Sequence, residues 1–129
     1  MAMPPLRVLV VDDDIDFRLL LSVQLDLDDA LQVVGSAGDG VEAIEMVAAD
    51  PPDVVAMDLL MPRMNGFEAI ESLRASHPQV GLVAYTAVAG TYARQQTQRL
   101  GVELVLKSGE QTELVAALLR AADRAAAPS

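Results

Sequence analysis

The stretch at residues 8–14, VLVVDDD, joins four consecutive apolar residues to three consecutive aspartates. It belongs to the first of five apolar runs, and a segment with helical spacing of its apolar residues follows each run. The runs lie at residues 6–11, 31–36, 53–57, 80–85 and 102–106. They are rich in Val and Leu without regular alternation with polar residues, which is typical of parallel strands buried on both faces.

The segments between the runs carry apolar residues on one helix face. The marker residues are Val41, Ile44 and Val47 or Ala48 for the second helix, Phe67, Ile70 and Leu73 for the third, and Leu114, Ala117, Leu118 and Ala121 for the last. The first helix, at about residues 15–27, is apolar on several faces, so we expect it to be deeply buried. Five strands alternating with five helices predict an α/β fold, a doubly wound (βα)5 parallel sheet with right-handed crossovers.

The length of 129 residues fits one compact domain. We expect this domain at residues 6–124, between a disordered tail at residues 1–5 and a C-terminal tail at residues 125–129. No apolar run approaches the ~18 residues that a membrane span needs, and the first residues lack the pattern of a signal peptide. These features predict a cytoplasmic protein without a membrane partner.

The net charge of −10 argues against a direct nucleic-acid surface, because phosphate backbones require clustered Lys and Arg. Since the chain has no cysteine, disulfides, thiolate chemistry and Cys-based zinc sites are excluded. There is no Walker-A motif, no GxGxxG and no GxSxG. His77, the only histidine, precedes a proline at a predicted helix end, and we expect it to be a surface residue.

Polar residues follow four of the five predicted strands. They are Asp12, Asp13 and Asp14 after the first strand, Asp58 after the third, Thr86 after the fourth and Lys107 after the fifth. The loops that follow parallel strands meet at one sheet edge, where ligands bind in such folds. One such aspartate is more often a helix cap than a site residue. Several neighbouring carboxylates, however, repel one another unless a cation is present.

This set of side chains suits phosphoryl transfer. Carboxylate and carbonyl oxygens are the ligands that Mg²⁺ prefers, and a cation with an ammonium neutralises a phosphoryl group while a carboxylate attacks in line. Lys107 is the only lysine among nine basic residues, the others being Arg. We therefore expect a lysine to be specifically required at this position.

Five motifs, in this order, resemble those of response-regulator receiver domains of two-component systems, the CheY-like superfamily. They are VLVVDDD at residues 8–14, PDVVAMD at 52–58, MPRMNG at 61–66, AYT at 84–86, and Lys107. The resemblance covers about residues 6–124. It implies a flavodoxin-like strand order, 2-1-3-4-5.

The resemblance also implies a role for each matching residue. Asp58 would be the phosphoacceptor, and Thr86 and Lys107 would bind the phosphoryl group. Mg²⁺ would be held by Asp13 and Asp58 directly, by Asp12 mostly through water, and by the main-chain carbonyl of Leu60. Autophosphorylation and autodephosphorylation at Asp58 would be the only intrinsic reactions, so the chain is not predicted to be an enzyme.

The chain departs from the resembled pattern at the switch region, Thr86 and Leu104. Leu104 stands three residues before the lysine, where Tyr or Phe is usual, and Ser108 stands where many members have Pro. The resemblance also implies that the positions of Leu60 and Val88 border the path of the hydrolytic water. Because both side chains are apolar, we expect slow loss of the phosphoryl group.

These observations favour a phosphorylation-dependent signalling switch. A histidine kinase would donate the phosphoryl group, and a downstream effector protein or domain would bind the changed surface. Helix four would be the part of this surface that moves. The same face could also pair two copies of the chain as a homodimer. One alternative is the N-terminal receiver fragment of a DNA-binding transcriptional regulator. Another is a phosphorylation-independent interaction module. An enzyme with a diffusible substrate is the weakest hypothesis.

Overall fold

The structure, a computed structural model, describes residues 4–61, 64–87 and 89–126. The elements are β1 (Leu6–Val11), α1 (Ile15–Asp26), β2 (Leu31–Ala37), α2 (Gly40–Ala49), β3 (Val54–Met57), α3 (Gly66–Ser76), β4 (Gly81–Thr86), α4 (Thr91–Leu100), β5 (Glu103–Leu106) and α5 (Gln111–Ala126). Val88, most of the two predicted tails and part of the MPRMNG motif (Pro62 and Arg63) lie outside the described residues. In the described part of the chain, no helix is long and apolar enough to cross a membrane.

The five strands form one parallel sheet in the order β2-β1-β3-β4-β5, which confirms the predicted fold. Side chains of alternate strand residues pack into two separate hydrophobic cores, one on each side of the sheet. Val8 and Val10 pack with α1 and α5 on one side of the sheet. Leu9 and Val11 pack with α2, α3 and α4 on the other side. Burial on both faces explains why these strands lack an alternation of apolar and polar residues.

Short polar side chains cap the first turns of three helices. The Asp14 carboxylate accepts the backbone N–H groups of Asp16 and Phe17, so Asp14 is the N-cap of α1. Asp39 caps α2 in the same way, and Asn65 caps α3. Each cap satisfies backbone donors that have no partner inside the helix.

The other ends of the helices also follow local sequence signals. Gly101 ends α4 in the left-handed region, at φ 70°, which a glycine adopts without strain. Helix α5 continues to Ala126, so residues 125 and 126, predicted as part of the tail, are helical.

The prediction that α1 is deeply buried is wrong. Only Leu21 and Leu25 of this helix are buried. The side chains of Ile15, Leu19, Leu20 and Val23 are 56–62% exposed. A helix that lies on a sheet covers it with one face only, and the apolar residues of α1 extend around more of the helix than that face.

Gly66, the first residue of α3, lies directly against the loop that follows β3. A Cβ atom at this position would be 2.2 Å from the carbonyl oxygen of Asp58 and 2.6 Å from the Cα atom of Leu59. Both contacts are with backbone atoms, which have no rotamer into which to move. The last residue of the MPRMNG motif is thus a glycine because the helix approaches the loop too closely for any side chain.

We predict that Gly66→Ala lowers the free energy of unfolding by about 2–3 kcal/mol, because the added methyl group displaces backbone. Gly90→Ala is the matched control, since a Cβ atom there meets nothing within 4 Å. As Gly90 is the N-cap of α4, its loss should stay below ~1 kcal/mol. Urea unfolding of both variants measures the difference, and equal losses would contradict this reading of the loop.

Candidate functional site

The carboxyl ends of four strands bring most of the predicted site residues to one edge of the sheet. Asp12 follows β1, Asp58 follows β3, Thr86 ends β4 and Lys107 follows β5. Carboxylate oxygens of Asp12, Asp13 and Asp58 all lie within 4.8 Å of one another. We call these three residues the acid cluster.

Burial differs within the acid cluster. Asp12 and Asp58 are only 2% and 4% exposed, whereas Asp13 is exposed to solvent. Two carboxylates are therefore held inside the protein, and the third lies at its surface. Burying carboxylates is unfavourable unless charges or hydrogen bonds compensate them.

Lys107 provides the compensating charge. Its Nζ atom lies 2.5 Å from Oδ2 of Asp12 and 3.7 Å from Oδ2 of Asp58. The backbone N–H of Lys107 donates to the carbonyl oxygen of Thr86 at 2.8 Å, which ties the ends of β4 and β5 together. The ammonium is thus paired with Asp12 and stands near Asp58, so that it bridges the two buried carboxylates.

The pKa of the Asp58 carboxyl is raised to about 6. Burial is the main cause, and the neighbouring charges of Asp12 and Asp13 add to it. The Lys107 ammonium and the backbone N–H of Leu60 lower the pKa and offset part of this effect. A carboxylate with a raised pKa is a stronger base, and a better nucleophile, than an ordinary exposed aspartate.

The loop between β1 and α1 holds Asp12 in place. One carboxylate oxygen of Asp12 accepts the backbone N–H of Asp14 at 2.9 Å. The Nη1 atom of Arg18 donates to the carbonyl oxygen of Asp12 at 2.8 Å. Asp14 itself turns toward the start of α1 and caps the helix.

The remaining predicted residues surround this centre. Leu60 is mostly exposed, and its backbone N–H donates to Oδ1 of Asp58 at 3.3 Å. Thr86 is fully buried at the end of β4. Leu104 lies on β5 opposite Ala84, half-buried against the core formed with α2, α3 and α4.

The acid cluster fits a hard divalent cation such as Mg²⁺. It offers three carboxylates, and one of them, Asp13, is open to solvent. Lys107 neutralises only one of the three negative charges, so the ionised cluster keeps a net negative charge. Mg²⁺ takes oxygen ligands and usually retains several waters, which the exposed side of the cluster can accommodate.

Sequence reasoning missed two aromatic residues near the site, Phe17 beside Lys107 and Tyr85 beside Phe17. The centroid of the Phe17 ring lies 4.3 Å from the Lys107 Nζ atom. The ring of Tyr85 lies 6.0 Å from that of Phe17, tilted by 38°. The chain has only four aromatic residues. One of them lies over the ammonium and a second packs against that ring, an arrangement that appears only when α1 and β4 are placed side by side.

Comparison with known proteins agrees with this geometry. The family model of the response regulator receiver domain matches residues 8–119. The protein-glutamate methylesterase/protein-glutamine glutaminase 1 of Caulobacter vibrioides is 40% identical over 112 residues, 85% of this chain and 33% of that protein. A similar protein from Geobacter metallireducens is 49% identical over 72 residues, 56% of this chain and 21% of that protein. The chain thus spans about a third or less of the length of these curated relatives.

Solved structures show the same fold. The response regulator domain of Thermotoga maritima CheB superposes with a TM-score of 0.83 at 29% identity, covering 92% of this chain and 97% of that one. The Vibrio cholerae chemotaxis protein CheY4 superposes with a TM-score of 0.79 at 28% identity, covering 91% and 98%. The family match extends over most of the sequence, and the sheet has the expected strand order, so this chain belongs to the response regulator receiver domain family.

Proposed function

We propose that Asp58 is the phosphoacceptor of this receiver domain. The observation that carries the proposal is the position of its buried carboxylate, 3.7 Å from the Lys107 ammonium and within the acid cluster. In the transfer, an Asp58 carboxylate oxygen forms a bond to phosphorus while the bond from phosphorus to the donor breaks. The electron pair of the broken bond leaves with the donor group, which is the imidazole nitrogen when the donor is a phosphohistidine.

The neighbouring side chains stabilise the charge that arrives with the phosphoryl group. The Lys107 ammonium, which bridges Asp12 and Asp58 beforehand, turns toward the new phosphoryl oxygens, and the Thr86 hydroxyl donates a hydrogen bond to them. A Mg²⁺ ion would be held by the acid cluster and the main-chain carbonyl of Leu60. When bound, Mg²⁺ supplies positive charge that offsets the carboxylates and the transferred group.

Receiver domains interact with kinases and with effector domains. For this chain we propose a histidine kinase as the donor and a protein or a further domain as the reader of the phosphorylated surface. Thr86 would transmit the change toward α4, because it ends β4 and the next segment leads into that helix. Leu104 would follow passively, since its side chain has no hydroxyl group to exchange partners.

A second proposal concerns the output. The methylesterase relatives favour a receiver that regulates a protein-modifying enzyme, because this chain matches a minor part of their length. On this view, the receiver domain itself has a regulatory role, and the enzymatic activity belongs to another part of such a protein. The DNA-binding regulator and the phosphorylation-independent module remain the competing hypotheses.

We predict that acetyl phosphate with Mg²⁺ adds one phosphoryl group to the wild-type chain and none to Asp58→Asn. The amide of asparagine is not a nucleophile, although it has nearly the same shape. Intact-protein mass spectrometry measures the labelling. Equal labelling of both proteins would place the acceptor elsewhere, and labelling of neither would favour the phosphorylation-independent module.

We predict that Asp13→Asn weakens Mg²⁺ binding by at least ~10-fold, about 1.4 kcal/mol. Asp14→Asn is the matched control, since it also removes one exposed carboxylate from the same loop. Asparagine is as good an N-cap as aspartate, so α1 should remain intact. Asp14→Asn should therefore weaken Mg²⁺ binding by less than ~3-fold. Calorimetric titration compares the two variants, and similar losses would exclude a specific role for Asp13.

We predict that the stability of the protein without divalent cations depends on pH through Asp58. Its pKa is raised to about 6 in the folded state, so the folded state holds this proton more tightly than the unfolded chain does. The wild type should therefore lose stability relative to Asp58→Asn as the pH rises from about 4 to 6, and the difference should level off above pH 7. The loss is on the order of 2–3 kcal/mol.

Urea unfolding at several pH values, with a chelator present, measures this dependence. A difference between the two proteins that stays constant from pH 4 to pH 7 would show that Asp58 is not buried in the way described.

A further inference from the structure

The Lys107 ammonium is enclosed by two carboxylates and an aromatic ring. Its Nζ atom contacts Asp12 at 2.5 Å and lies 3.7 Å from Asp58. The Phe17 ring stands 4.3 Å from the same atom, measured to its centroid. This distance lies within the range of a cation–π interaction, in which the electron-rich face of the ring attracts the ammonium.

The position of the Phe17 ring is fixed from two directions. Its backbone N–H donates to the Asp14 carboxylate in the first turn of α1. The backbone N–H of Asp14 in turn donates to Oδ1 of Asp12, a member of the acid cluster. On the other side, the ring stacks at a tilt against Tyr85 of β4. The loop that places the carboxylates therefore also places the ring.

We propose that Phe17 is a positioning residue of the phosphorylation site, whose ring holds the Lys107 ammonium between Asp12 and Asp58. The inference rests on the proposed function, in which Lys107 binds the phosphoryl group. A lysine side chain has four flexible carbons and loses much rotamer freedom when it is fixed in place. The ring reduces this freedom before the phosphoryl group arrives, and it keeps water from one side of the ammonium.

A packing role is the competing explanation, because Phe17 is half-buried and packs against the core formed with α1 and α5. The two explanations differ in what they require of the ring. Packing depends on its shape and volume, whereas a cation–π contact depends on the electron density of its face. Substitutions that change electron density at nearly constant shape therefore separate them.

The first measurement needs no phosphorylation. Lys107 is the only lysine, so selective isotope labelling of lysine gives one set of NMR signals. A ring lying over the ammonium should shift the signals of the neighbouring methylene protons upfield. The shift should disappear in Phe17→Leu and persist in Phe17→Trp. Phe67→Leu, which removes the only other phenylalanine, is the matched control and should leave it unchanged.

The second measurement follows the rate of phosphorylation by acetyl phosphate. Phe17→Leu should lower it by ~3- to 30-fold, the range that corresponds to cation–π energies, whereas Phe17→Trp should stay near the wild-type rate. Mono-, di- and trifluorinated phenylalanine at position 17 should lower the rate progressively, since each fluorine withdraws electron density from the ring. Urea unfolding of every variant tests whether stability changes in parallel.

The possible outcomes separate the two proposals. If the wild type is labelled but the rate is the same across the fluorinated series, Phe17 is a packing residue and the inference is overturned. Absence of the upfield shift in the wild type also overturns it. If the shift is present but the wild type is not labelled at all, the proposed function fails, and the role of Phe17 in phosphoryl transfer fails with it.

Discussion

The ion pair between Lys107 and Asp12 is the interaction on which the rest of the site depends. It joins residues 95 positions apart in the chain, and it forms because β1 and β5, which are separated by β3 and β4, end at the same edge of the sheet. The pair offsets part of the unfavourable burial of two carboxylates, while Asp58 keeps a raised pKa. Because the buried carboxylates are incompletely neutralised, their remaining negative charge favours binding of a cation. The ammonium in turn can bind an anionic group.

Most of the fold was predictable, because each strand carries its own signal. Continuous Val- and Leu-rich runs predicted strands buried on both faces. The residue types at the observed caps, an aspartate at the start of α1 and a glycine at the end of α4, are those that local backbone chemistry favours there. The grouping of Asp12, Asp13 and Asp58 was predictable for a topological reason, since the ends of parallel strands meet at one edge. Their individual roles in phosphoryl transfer stay predictions.

Features that depend on packing between distant elements could not be predicted in the same way. The apolar sequence of α1 does not indicate how many of its faces are covered, so the exposure of Leu19 and Val23 appears only in the structure. The contact of Phe17 with Lys107 depends on which face α1 turns toward the site. The sequence pattern does not determine that orientation. The close approach of Gly66 to the backbone of Asp58 and Leu59 likewise depends on the path of the loop after β3, which the sequence does not reveal.

We propose that the acid cluster and Lys107 form one phosphoacceptor site. A crystal structure of the protein with Mg²⁺ and beryllofluoride, a mimic of the phosphoryl group, tests it most directly. We expect beryllium bonded to an Asp58 carboxylate oxygen, Mg²⁺ beside Asp13, and the Lys107 ammonium on a fluorine of the mimic. An adduct on a different carboxylate, or crystals in which Lys107 still contacts only Asp12 and no adduct forms at saturating beryllofluoride, would contradict the account.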